Sequence, residues 1–114
     1  MKRLLVLLAI GVLPWGQASA YEYPTLERVE YVLGCAREAR GPAHEGIYKC
    51  TCVIDAIAQR LSYDQFVEYS TAANAFSIGG ERGEVMRGYT QGKEMAGTFR
   101  SVQADARKAC FVRS

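Results

Sequence analysis

The chain has 114 residues, 49% hydrophobic and 23% charged, with a formal net charge of +2. Both surplus cations, Lys2 and Arg3, stand ahead of Ala20. Beyond Ala20 twelve basic residues meet twelve acidic ones, so net charge gives no ground for a basic nucleic-acid or anionic-membrane surface in that part of the chain, and nucleic-acid binding is disfavoured.

Residues 1–20 read as a cleavable signal peptide. Lys2 and Arg3 form a basic start, Leu4 to Leu13 is uncharged and apolar, and Ala18-Ser19-Ala20 supplies a small-x-small cleavage site. The apolar run is shorter than the roughly 20 residues that span a bilayer, and Pro14 and Gly16 interrupt it. It is expected to act as an address and to leave no stable membrane anchor after cleavage. Residues 21–114 are then a single domain of an oxidising compartment, periplasmic or secreted.

That domain is expected to be all-α, a small four-helix bundle. The first helix runs from about Thr25 to Ala39, with Leu26, Val29, Val32, Leu33, Ala36 and Ala39 in steps of three and four; Pro24 suits its entry and Gly41-Pro42 stops it. A loop, Gly41 to Tyr48, carries His44. The second helix spans about Lys49 to Leu61, where Cys50, Val53, Ile54, Ile57, Ala58 and Leu61 make the cleanest apolar stripe. Ser62-Tyr63-Asp64-Gln65 is a capping box that opens a third helix, which Gly79-Gly80 ends. After a glycine-rich turn, Gly79 to Gly83, the last helix runs from about Glu84 to Cys110. Gly88 and Gly92 weaken its first half, which can stand as a separate short helix.

The four cysteines, Cys35, Cys50, Cys52 and Cys110, all lie beyond the leader and read as a disulfide framework. On a helix Cys50 and Cys52 point about 200° apart and reach different neighbours, so a Cys50–Cys52 ring ranks last. Depth along the helices favours Cys35 with Cys52 and Cys50 with Cys110, and exchanging the partners is the near alternative. A redox dithiol would more usually be Cys-x-x-Cys, and a metal site would need ligands beyond one histidine, so no cofactor and no metal are expected.

Few residues suggest chemistry. Asp55 falls off the 50, 54, 57, 61 stripe, which puts it on a solvated edge with Gln59 at i+4 as its partner. His44 is the sole side chain titrating near neutrality, in a loop beside Glu45, with no nucleophile or orienting group at a recognisable spacing. The stretch Gly79 to Arg87 is a candidate binding loop, in which Gly80 and Gly83 permit close backbone approach and Glu81, Arg82 and Arg87 offer orientable charges; an ordinary interhelix turn explains it equally well. Seven tyrosines exceed what the core pattern needs, and Tyr31, Tyr63 and Tyr89 fall off or at the edge of the stripes, where amphipathic rings serve interfaces or core rims.

The runs Lys49-Cys50-Thr51-Cys52-Val53-Ile54-Asp55-Ala56-Ile57-Ala58, Leu61-Ser62-Tyr63-Asp64-Gln65-Phe66-Val67 and Gly80-Glu81-Arg82-Gly83 resemble a group of small exported bacterial proteins with a Cys-x-Cys helix start. The resemblance implies a place beside quinoprotein alcohol dehydrogenases and their periplasmic cytochromes, and it brings no catalytic residues. Size, export and helicity also resemble the HdeA-like acid chaperones, which have one bridge and no Cys-x-Cys, and helical periplasmic immunity proteins. The resulting expectation is a non-enzymatic accessory protein with a periplasmic protein partner and no nucleic acid. The alternatives are a stress chaperone or inhibitor, and a thiol-redox protein using Cys50 and Cys52.

Overall fold

The computed structural model describes residues 22–113, apart from the side chains of Arg82, Met86 and Arg87. The expected leader, residues 1–20, lies outside the described residues. Five helices and no strand are found among those described: α1 (Thr25–Glu38), α2 (Ala43–Ala58), α3 (Tyr63–Ser77), α4 (Gly80–Arg87) and α5 (Thr90–Ala109). The fold is all-α, as the periodicity indicates, with the fourth expected helix divided in two at Gly88-Tyr89.

Pairings along the helices give their directions. Arg28 meets Asp55 and Cys35 meets Cys50, so α1 and α2 form an antiparallel hairpin. Phe66 packs on Phe99, and Ala73 accepts a bond from Arg100, near the middle of α3 and α5. Cys52 with Cys110 and Arg60 with Asp105 run α2 against α5 in opposite senses. The core lies where α2, α3 and α5 converge: Val53, Ile54 and Ile57 are at most 1% exposed, beneath Phe66, Phe99, Val102 and Ala106. Each such aliphatic side chain contributes about 1.5–3 kcal/mol by leaving water.

Helix α2 starts at Ala43, about a turn and a half before the expected Lys49, so His44 stands in a helix and not in a loop. Pro42 sits extended at the cap, where its missing N–H costs no hydrogen bond, and Glu45 in the first turn complements the helix dipole. Glu45 also pairs with Lys49 one turn on, which holds its carboxyl below the usual range. Gly46, which reads as a helix breaker, is the point of closest approach to α1: a Cβ there would come within 3.4 Å of the Ala36 carbonyl oxygen.

The capping box at Ser62 forms with both arms, Gln65 N–H donating to Ser62 Oγ at 3.2 Å and Ser62 N–H to Gln65 Oε1 at 3.0 Å. At the far end α5 closes in a Schellman turn, with Phe111 N–H donating to the Lys108 carbonyl and Val112 N–H to that of Arg107. Phe111 takes the left-handed backbone position, φ 59°, that glycine normally fills. Arg40 N–H then donates to the Arg113 carbonyl at 2.9 Å and ties the C-terminal segment to the α1–α2 turn.

Candidate functional site

The disulfides are Cys35–Cys50 and Cys52–Cys110, which reverses the favoured pairing and selects its near alternative. The favoured pairing presupposes an α2 that begins at Lys49, six residues after its actual start. With the helix starting at Ala43, Cys50 lies two turns in, fully buried and opposite Cys35, while Cys52 points away toward the end of α5. Cys50 and Cys52 thus serve two separate bridges between helices and do not form a dithiol pair. Among the described residues no group of three or more His, Cys, Asp and Glu is placed to hold a metal.

Of the other residues singled out above, none converge. His44 is exposed on the first turn of α2. Asp55 is exposed as its position indicates, but its partner is Arg28 of α1, at 2.6 Å, and not Gln59. The supposed loop Gly79 to Arg87 is helical from Gly80, which begins α4 with φ 78°; Gly83 is buried, Glu81 is exposed, and the side chains of Arg82 and Arg87 lie outside the described residues. Of the stripe-edge tyrosines, Tyr31 and Tyr63 are core rims and Tyr89 is exposed. Tyr23 is buried, with its hydroxyl donating to the Leu61 carbonyl at 2.9 Å, and Tyr31 and Tyr63 pack against the core. Tyr48 and Tyr89 stay exposed.

The feature that sequence reasoning missed is on α1. Its inward side carries Tyr31 and Cys35 together with Val32: Tyr31 makes an edge contact with Phe66 and accepts a bond from Gln103 of α5, Cys35 is bridged to α2, and Val32 packs against the core. Of the apolar stripe that looks like the core face, Val32, Ala36 and Ala39 are half-buried, while Leu26, Val29 and Leu33 point outward, at 69, 48 and 51% exposure. Beside it on α2 stand Ile47 and Tyr48, also exposed. Between the two helices runs a groove of about 350 Å³, with Val32 and Ile54 among its lining and Thr51, Arg28 and Asp55 as its polar edge. A helix can bury one stripe against its own domain; α1 carries apolar or aromatic groups on two sides, and among the described residues none covers the second side.

The walls of this groove are mostly apolar. Its charged groups, Arg28 and Asp55, neutralise each other at its rim, and Arg28 also lies over the Tyr23 ring, 5.5 Å from the centroid. A second, polar cleft of about 270 Å³ opens between α1, α3 and α5 over Phe66 and Phe99, edged by Glu27, Glu30, Ser70 and Asn74. Glu27 is already engaged there, accepting from the Tyr63 hydroxyl at 3.2 Å, and burial together with this carboxylate pushes the Tyr63 phenol up.

Compared with protein-family models, with curated proteins and with solved structures, the chain matches none. Among the described residues no helix is long and apolar enough to cross a membrane. The two disulfides are compatible with an oxidising, extracytoplasmic setting.

Proposed function

We propose that this chain is an exported, non-enzymatic accessory protein: a small helical scaffold, fixed by two cross-links, that works by binding another polypeptide through the outer face of its α1–α2 hairpin. The single observation that carries the reading is the set of exposed apolar side chains on the α1–α2 hairpin, with Val29, Leu33 and Ile47 lining a preformed groove and Leu26 and Tyr48 exposed on the same two helices. Apolar surface of this kind lowers solubility, so a domain retains it where it meets a partner. The bridges support the reading too, because a hairpin held covalently pays little ordering cost on docking. The resemblance around Cys50-Thr51-Cys52 makes a periplasmic alcohol-oxidising system the first setting in which to look for such a role.

The test is site-specific photocrosslinking in cells that export the chain. A benzophenone side chain at Val29 is expected to give a discrete adduct, and the same probe at Glu68, exposed on α3, is expected to give none. Equal labelling from both positions, or no adduct from Val29, would defeat the proposal.

A further inference from the structure

We infer that the α1–α2 face is covered by a second copy of this chain, forming a two-fold symmetric dimer in which the two hairpins stack as a four-helix layer. The inference rests on the reading of this face as a docking surface and names its occupant.

The area is the first ground. With Tyr48 at 80% exposure, Leu26 at 69% and Val29, Leu33 and Ile47 near one half, the five side chains present on the order of 600 Å² per copy, so complete burial of all five in a pair would remove on the order of 1,200 Å², the lower bound for a stable interface. The face is therefore large enough for a reversible homodimer. A patch of one or two side chains would not be.

Charge is the second ground. A surface shaped for a strongly charged partner carries the opposite sign, whereas this groove carries one cation and one anion, Arg28 and Asp55, on the same rim. Because the two are paired within the chain, a two-fold contact between copies brings no uncompensated like charges together at this rim. The domain beyond Ala20 has twelve charges of each sign, so long-range repulsion between copies is small.

Topology is the third. Helix α1 packs closely along α2, while it reaches α3 and α5 through side-chain bridges: Tyr31 to Gln103, Glu38 to Arg107 and Glu27 to Tyr63. The hairpin is thus an outer layer of two antiparallel helices with one side facing the domain and the other open, and a second hairpin completes a four-helix layer.

The experiment is sedimentation velocity on the oxidised, processed chain over a concentration series from micromolar to several hundred micromolar. The expected result is a concentration-dependent doubling of mass, weakened at least about tenfold by Leu33→Asp and by Tyr48→Ala, and unchanged by Val85→Asp, a substitution at an exposed valine of α4. All three positions are at least half exposed, and far-ultraviolet circular dichroism verifies that each variant is folded. A chain that stays monomeric throughout the series overturns the inference, as does a dimer indifferent to Leu33→Asp and Tyr48→Ala. The docking reading is judged separately: a monomer that still gives a discrete adduct of another mass from Val29 keeps the face and loses the second copy, while the absence of both removes both.

Discussion

The two halves of this domain are held by different means. Where α3 meets α5, the interface is built by burial: Phe66 packs on Tyr23, Tyr31 and Phe99, with Ala72, Ala73 and Ala96 letting the backbones approach. Where α1 meets α2, the aliphatic side chains of α1 are largely turned to solvent. That pairing relies on a disulfide, a glycine contact and an ion pair. A helix whose best apolar residues are not spent internally needs another fastening, and sulfur supplies it.

The sharpest way to test the contrast is to weaken each half by its own bond. Phe66→Ala, at the aromatic centre, is expected to cost about 3–5 kcal/mol of unfolding free energy in a denaturant titration. A loss below about 1 kcal/mol would show that burial is not what holds that half. Replacing Cys35 and Cys50 together by alanine removes a cross-link spanning 15 residues and is expected to cost about 3 kcal/mol. Hydrogen exchange should quicken most in the amides of α1 and least in α3 and α5. A uniform acceleration would erase the distinction between the halves.

Tyr23 joins the two regions, and its titration reports on the join. Burial pushes its phenol up from 10.0 to about 12, with the Arg28 guanidinium pulling weakly the other way. Between those values the folded chain keeps a proton that the unfolded chain releases, so the stabilisation is complete below pH 10 and is lost as pH climbs through about 12. The loss is about 3 kcal/mol at most. Tyr23→Phe should flatten that alkaline slope, and an unchanged slope would locate the titration elsewhere. The smallest effect is local: Ser62→Ala removes the side-chain acceptor of the capping box and is expected to cost about 1 kcal/mol, read as a shift in the denaturation midpoint.

What could be read from the residues alone follows the same division. The stripe of α2 from Cys50 to Leu61, the Ser62 capping box and the Ala96 to Ala106 face of α5 obey local rules, and each is found where the periodicity puts it. The beginning of α2 was not legible, because Gly41, Pro42 and Gly46 look like loop punctuation until α1 is laid against Gly46. That one displacement carried the disulfide pairing with it. The outward stripe of α1 was hidden for a different reason: spacing reveals that a helix has an apolar side, but only tertiary packing decides which side is covered, and here Tyr31 and Cys35 won the interior. A tyrosine and a cysteine four residues apart, lying off the aliphatic stripe, were the signal that could have given it away.

The pairing of the cysteines bears on how the molecule is made. First bonds to second and third to fourth, so the sulfurs marry in the order in which they emerge when a chain is threaded amino-end first. An oxidant that joins each new thiol to the nearest waiting one generates the native set directly, with no reshuffling step by an isomerase. The early loop can be sealed as soon as Cys50 is available, and the later bridge must wait for Cys110, 58 residues beyond Cys52.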